Sequence, residues 1–322
     1  MMNKKTKIVV LDGYCVNSGD LSWEKFETLG DLVVYDNTPY DLIPQRAKDA
    51  DVIITNKCNL DSNIIDKLPS LKYIGELATG YNNIDIQYAR KKGIAVTNVP
   101  AYSTSSVVQT IIGFIISLSL NLPHHFERVK KGDWVTCENF CFYEQGMVEI
   151  SGKTLGIIGF GNIGMNLKDV ANAFGMKVVV FSNSRHKKED GTFNYVSMDD
   201  LFSTSDFIAL TCPLTNKNKG FVNKDKLSLM KKSAFLINTA RGPLVNEEDL
   251  AYALNTGLIK GAAVDVLTDE PPKASNPLLN AKNILITPHL AWATYEARSR
   301  LLNAAYENLK AFLNGHNLNV IN

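Results

Sequence analysis

The chain has 322 residues, 45% of them hydrophobic, enough to bury substantial cores and long enough for two domains rather than one. Lysine plus arginine (34) nearly balances aspartate plus glutamate (33), and a formal net charge of +1 provides no general field for nucleic acid or an anionic membrane. The expected partner is a small molecule held in a cleft, with no nucleic acid and no membrane.

The basic N-terminus leads into Ile8-Val-Val-Leu11, which stops at Asp12, far short of the apolar region of a signal peptide. Short apolar strands then alternate with polar helical segments: Lys7 to Leu11, Leu32 to Tyr35, Asp51 to Thr55, Tyr73 to Leu77 and Ile94 to Val96. This alternation is the pattern of a parallel α/β sheet. Val107 to Leu120 is the most apolar stretch, but Gln109, Thr110, Ser117 and Ser119 interrupt it and it is too short to span a bilayer. A buried helix is expected there. Its apolar residues run nearly all round, so it needs cover on every side, and a second subunit of a homodimer is expected to supply part of it. His124 and His125 follow Pro123 at an expected helix end and, like His186 and His316, are read as solvated.

A second series of strands is expected at Leu155 to Gly159, Lys177 to Phe181, Phe207 to Leu210, Ala234 to Ile237, Gly261 to Val266 and Ile284 to Thr287. It opens with Gly156-Ile-Ile-Gly159-Phe-Gly161-Asn-Ile-Gly164, an apolar strand turning through glycines into a helix. Such a turn brings backbone N–H groups up to a pyrophosphate at a helix N-terminus, and the missing side chains permit close approach. Gly152-Lys153-Thr154 mimics the end of an NTPase phosphate loop, but Gly146 lies one residue too far upstream and the tripeptide precedes its strand.

The fold class that follows is α/β, with two doubly wound parallel-sheet domains. Because the glycine turn opens only the second series, residues 102–292 are expected to form a Rossmann-type dinucleotide-binding domain. Residues 1–101 and 293–322 are expected to form a flavodoxin-like substrate domain. Tyr295 to Leu313 reads as a final helix returning to it, with a hinge where the chain crosses and the site in the cleft. The five cysteines, Cys15, Cys58, Cys137, Cys141 and Cys212, are scattered and odd in number, as free thiols in a reducing cytoplasm would be. Cys137 and Cys141 could line one helix face, but no second pair accompanies them and no metal site is expected.

Three expected strand ends each carry one reactive group: Arg241 in Asn238-Thr-Ala-Arg-Gly242, Glu270 in Asp265-Val-Leu-Thr-Asp-Glu270, and His289 in Thr287-Pro-His-Leu290. Ligands of open α/β sheets lie beyond the carboxyl ends of strands, which makes the three candidates for one crevice. Reduction of a 2-keto acid requires a cation for the carboxylate, a proton donor for the carbonyl oxygen and a hydride source. A planar guanidinium grips a carboxylate with two hydrogen bonds, which suits Arg241 to the first task. Imidazole suits the second, and a carboxylate partner such as Glu270 would favour its protonated form and fix its orientation. A nicotinamide would supply the third. Taken singly, each of the three also has a plain structural account as a surface, turn or loop residue.

Together these residues resemble the D-isomer-specific 2-hydroxyacid dehydrogenase family over nearly the whole chain. The most specific segments are Ala78-Thr-Gly-Tyr-Asn-Asn-Ile-Asp85, Thr97-Asn-Val-Pro-Ala-Tyr-Ser-Thr104, the glycine turn, Thr239-Ala-Arg-Gly242, Asp265 through Glu270 and Thr287-Pro-His-Leu-Ala-Trp-Ala-Thr294. The resemblance implies an NAD(P)-dependent oxidoreductase in which Arg241 holds substrate, His289 exchanges the proton and Glu270 pairs with His289. It implies that Asp265 positions the nicotinamide carboxamide, and that backbone amides of Leu77, Ala78 and Thr79 meet the substrate carboxylate, with Thr79 also near the cofactor. Gly159, Gly161, Asn162, Ile163 and Gly164 would cradle the pyrophosphate, Cys212 and Pro213 would flank the adenosine, and Thr239 and Ala240 would complete the cofactor site. Leu77 to Tyr81 and His289 to Trp292 look most like members acting on hydroxypyruvate and glyoxylate.

One position departs from the usual NAD-dependent pattern. An Asp or Glu normally bonds the ribose 2′-OH roughly 20 residues beyond the glycines. Here the strand ends in Ser182, Asn183, Ser184 and Arg185, with Lys187 and Lys188 close by. These side chains can donate hydrogen bonds and positive charge to a 2′-phosphate, so NADP(H) is favoured over NAD(H). The alternatives are a 3-phosphoglycerate or D-lactate dehydrogenase, and a non-catalytic nucleotide-sensing protein of the co-repressor kind.

Overall fold

The computed structural model describes residues 5–184 and 188–322. Arg185 and Lys187, expected beside the ribose, lie outside the described residues, as does His186. The chain divides into two compact units, Met1–Ser103 with Ala293–Asn322, and Thr104–Trp292.

The first unit holds a five-stranded parallel sheet of β1 (Lys7–Val10), β2 (Asp31–Val34), β3 (Val52–Thr55), β4 (Tyr73–Glu76) and β5 (Ala95–Thr97), in the order β2-β1-β3-β4-β5. This is the flavodoxin-like order. The inner strands β3 and β4 are buried at every residue, as strands covered by helices on both faces must be. On one side Ile53, Ile74 and Val96 pack with Ile43, Ile64 and Leu68. The final helix, Tyr295–Leu313, starts at a Thr294 cap and lays Phe312 against Tyr73, ring centroids 4.9 Å apart.

The second unit holds a seven-stranded parallel sheet of β6 (Thr154–Ile158), β7 (Lys177–Phe181), β8 (Asn194–Tyr195), β9 (Phe207–Leu210), β10 (Phe235–Asn238), β11 (Gly261–Val264) and β12 (Ile284–Ile286). Its order, β12-β11-β10-β9-β6-β7-β8, reverses between β6 and β9, and that switch point is where a doubly wound sheet opens a crevice. The apolar helix spans Thr104–Leu120 and buries Val107, Val108, Ile111, Phe114 and Ile115 against Leu155, Ile157, Phe207 and Phe235. Its cover therefore comes largely from its own unit.

Three local features depart from or add to these expectations. The helix end expected near Pro123 is at Leu120, but after Asn121, in the left-handed region at φ 48°, a new helix, Leu122–Lys130, begins at once with Pro123 in its first turn. Proline lacks only a donor that a first turn leaves unused, so it starts helices as readily as it stops them. Cys137 and Cys141 lie in irregular backbone rather than on a helix face, joined by a Cys137 thiol contact of 3.7 Å to the Cys141 carbonyl. No cluster able to hold a metal occurs among the described residues, and all five cysteines are free. Finally, the two-residue edge strand β8 is too short to leave an apolar pattern. Among the described residues no single helix is long and apolar enough to cross a membrane.

Candidate active site

The second unit sets its loops along the carboxyl ends of its parallel strands. At the end of β6, Gly159 has φ +99°, and a Cβ there would lie 2.6 Å from the backbone nitrogen of Cys212, in the loop after β9. A Cβ on Gly164 would meet the Gly159 carbonyl at 2.4 Å. These two glycines are required by the protein's own packing. Gly161 is different: nothing lies within 4 Å of a Cβ built on it, although it begins the helix Asn162–Ala173. Open space over the middle glycine, at the N-terminus of a helix and beside the switch point, is what close approach of a pyrophosphate needs, so the residues fit a dinucleotide. Thr239, just past β10, adds a shielded hydroxyl with no hydrogen-bond partner among the described residues. Burial pushes the Cys212 thiol up to about 11, which makes it a packing group rather than a nucleophile. After β7, Ser182 Oγ donates to the Ser184 carbonyl at 2.9 Å, and neither these two nor Asn183 carries a negative charge.

Arg241, Asp265, Glu270 and His289 follow three adjacent strands, β10, β11 and β12. Asn238, only 1% exposed, shapes the arginine turn by donating to the Arg241 carbonyl at 2.9 Å and accepting from the Ala240 amide at 3.0 Å. Gly242 then lets this turn close on the next loop, since a Cβ there would fall 2.0 Å from the Leu267 carbonyl carbon. The exposed Arg241 guanidinium donates from Nη1 to the Ala240 carbonyl at 2.7 Å.

His289 Nδ1 stands 2.6 Å from Glu270 Oε2, and the other Glu270 oxygen accepts the Leu267 amide at 3.0 Å. A carboxylate accepts from Nδ1–H, which leaves Nε2 as the working nitrogen. His289 occupies the left-handed region at φ 52°, which a residue with a Cβ adopts only when its surroundings enforce it. Asp265 does the enforcing. It is 1% exposed, its carbonyl accepts the His289 amide at 2.8 Å, and its carboxylate accepts Thr287 Oγ1 at 2.6 Å and the amides of Leu290 and Ala291 at 2.8 and 3.0 Å. Burial lifts the Asp265 carboxyl above its ordinary value, while the hydrogen bonds from Thr287, Ala291 and Leu290 pull the other way. The carboxylate tied to a nicotinamide in the sequence reading thus organises the histidine loop. Sequence reasoning missed Asn238 and Thr287; the only trace of them is a polar residue closing an apolar strand.

In the first unit, Leu77, Ala78 and Thr79 follow β4. The Leu77 amide donates to the Thr55 carbonyl at 2.7 Å and its side chain is fully buried, so Leu77 has no group left for a carboxylate. The amides of Ala78 and Thr79 have no acceptor among the described residues. Glu76 just before them is 1% exposed, and burial pushes its carboxyl up to about 9, so it is uncharged at neutral pH.

A Rossmann-order sheet with an open glycine turn defines a dinucleotide-binding protein. The NAD binding domain of D-isomer specific 2-hydroxyacid dehydrogenases matches residues 112–291, more than half of the chain. Hydroxypyruvate reductase of Blautia hydrogenotrophica is 43% identical over 320 residues, covering 98% of this chain and 99% of the relative. Among solved structures, an acyclic imino acid reductase in complex with NADPH and D-Arg superposes with a TM-score of 0.87 at 30% identity, covering 98% of this chain and 100% of the other. The NADPH-dependent glyoxylate/hydroxypyruvate reductase of Sinorhizobium meliloti, in complex with citrate, superposes with a TM-score of 0.85 at 26% identity, covering 98% and 97%. The chain belongs to the D-isomer specific 2-hydroxyacid dehydrogenase family. It is a 2-hydroxyacid oxidoreductase with a nicotinamide nucleotide cofactor.

Proposed function

We propose that the enzyme reduces hydroxypyruvate to D-glycerate and glyoxylate to glycolate, with NADP(H) favoured over NAD(H). The observation that carries the catalytic reading is the 2.6 Å bond between His289 Nδ1 and Glu270 Oε2. A bound reduced nicotinamide supplies the hydride. Gly159 to Gly164, Cys212, Pro213, Thr239 and Ala240 hold the nucleotide, and Ser182, Asn183 and Ser184 serve its ribose. Arg241 grips the substrate carboxylate. His289 Nε2 delivers a proton to the keto oxygen, and Glu270 steadies the charge that the imidazole carries beforehand. In the first unit the amides of Ala78 and Thr79 receive a carboxylate oxygen. Hydroxypyruvate is chosen because a relative that matches this chain over nearly its full length, at 43% identity, bears that activity in its name. NADP(H) is chosen because residues 182–184 offer hydroxyl and amide groups and no acid.

A steady-state panel of hydroxypyruvate, glyoxylate, pyruvate and phosphohydroxypyruvate, each against NADPH and NADH, tests both choices. Hydroxypyruvate and glyoxylate with NADPH should show the highest kcat/KM. A preference for phosphohydroxypyruvate or pyruvate, or for NADH, reverses the corresponding choice.

We also propose a homodimer. Trp134, Val135, Phe140 and Tyr143 are 55 to 90% exposed, yet their segment is held in place. Trp134 Nε1 donates to the Phe140 carbonyl at 3.0 Å, and Arg128 pairs with both Asp133 and Glu144. An ordered apolar surface of this kind calls for a partner. Sedimentation at micromolar concentration should give twice the chain mass; a monomer there excludes it.

A further inference from the structure

Resting on the reading of Ala78 and Thr79 as carboxylate donors, we infer that Asn56 and Asn98, with the Val99 amide between them, are positioning residues that fix the directions of the backbone amides in the loop receiving the anionic end of the substrate. A peptide unit is rigid and trans, so the direction of an N–H is set by the carbonyl of the preceding residue, which points the opposite way. Three successive carbonyls after β4 are each held by one donor. Asn56 Nδ2 donates to the Leu77 carbonyl at 2.6 Å, the Val99 amide to the Ala78 carbonyl at 3.0 Å, and Asn98 Nδ2 to the Thr79 carbonyl at 2.8 Å. The amides whose directions follow are those of Ala78, Thr79 and Gly80, and none of the three has an acceptor among the described residues. Compared with the sequence reading, the donor set moves on by one residue: Leu77 leaves and Gly80 enters.

Both asparagines are themselves anchored. Asn56 is 3% exposed, and its amide donates to Asp12 Oδ1 at 2.9 Å; Asp12 Oδ2 accepts the Lys57 and Cys58 amides at 2.6 and 3.1 Å. Asn98 is joined to the final helix by a chain of amide groups. Asn319 Nδ2 donates to Asn308 Oδ1 at 2.9 Å, Asn308 Nδ2 donates to the Asn98 carbonyl at 2.9 Å, and Asn308 is 1% exposed. Thr79 Oγ1 completes the loop by donating to the Val99 carbonyl at 2.9 Å. Amides held in advance bind an anion without the entropy loss of ordering a loop, and they do so equally in the ground state and the transition state.

The test uses the full-length enzyme with NADPH and glyoxylate as the probe. Asn98→Ala and Asn56→Ala should each raise the KM for glyoxylate by about five- to tenfold, the scale of losing one ordered hydrogen bond, with kcat within about twofold of wild type. The dissociation constant for NADPH, read by its fluorescence, should stay unchanged. Hydrogen exchange supplies a readout independent of turnover: the Val99 amide, which donates to the clamped loop, should lose protection in Asn98→Ala. An unchanged KM in both folded variants, or a fall in kcat without a rise in KM, overturns the inference. So does undisturbed exchange at Val99. If one variant fails to fold, the other decides. A wild-type enzyme inactive on every 2-keto acid would sink the functional reading, and the exchange result would still report whether the asparagines hold the loop.

Discussion

Arg241→Ala should lower kcat/KM for hydroxypyruvate by about a thousandfold, while the melting temperature stays close to that of the unaltered enzyme. A guanidinium holding a carboxylate with two charge-assisted hydrogen bonds contributes on the order of 4 kcal/mol, and each 1.4 kcal/mol is a factor of ten. The fold does not depend on the side chain: Arg241 is exposed, and its Nη1 bond to the Ala240 carbonyl is local. The turn is built instead by Asn238 and by the absence of a side chain at Gly242. Arg241→Lys separates charge from shape. An ammonium keeps the attraction but cannot match both carboxylate oxygens in one plane, so it should recover only part of the loss. Steady-state kinetics of both variants, with thermal unfolding as the control, checks the assignment. Near-normal turnover in a folded Arg241→Ala enzyme would show that the guanidinium does not hold the substrate.

The buried parallel strands could be read from the chain because such strands are continuous apolar runs between polar stretches, and Val52–Thr55, Lys177–Phe181 and Phe207–Leu210 stand where those runs predict. β8 could not, because one exposed and one half-buried residue at a sheet edge carry no period. Pro123 marked the end of one helix but hid the start of the next for a physical reason: its lost donor is harmless in a first helical turn, so the residue alone does not say that a helix begins there. Within the site, Arg241, Glu270 and His289 were recognisable as reactive groups near strand ends. What holds them was not. The left-handed backbone at His289 depends on a carboxylate 24 positions earlier in the chain, and the Arg241 turn depends on how closely Leu267 approaches Gly242. These are contacts between strand ends, and only the sheet order makes them neighbours. The same is true of Leu77, whose amide looked available until β3 placed the Thr55 carbonyl against it.

His289→Gln should reduce kcat by about 10² to 10⁴, the range expected when a positioned acid–base group is removed, and should flatten the pH–rate profile near neutrality. Glu270→Gln asks a sharper question, since the amide keeps the size of the side chain and an oxygen able to accept from His289 Nδ1 or from the Leu267 amide. What it loses is the negative charge. A carboxylate 2.6 Å from the ring stabilises the positive charge that the ring carries before it gives up its proton. Reduction draws on the imidazolium as its proton source. The reductive rate should therefore fall by about tenfold in Glu270→Gln, the scale of one charge-assisted hydrogen bond. Steady-state rates of Glu270→Gln, with NADPH binding and thermal unfolding as controls, distinguish a charge partner from a mere orienting hydrogen bond. Were Glu270→Gln to keep the wild-type rate, Glu270 would be orienting the ring without stabilising its charge.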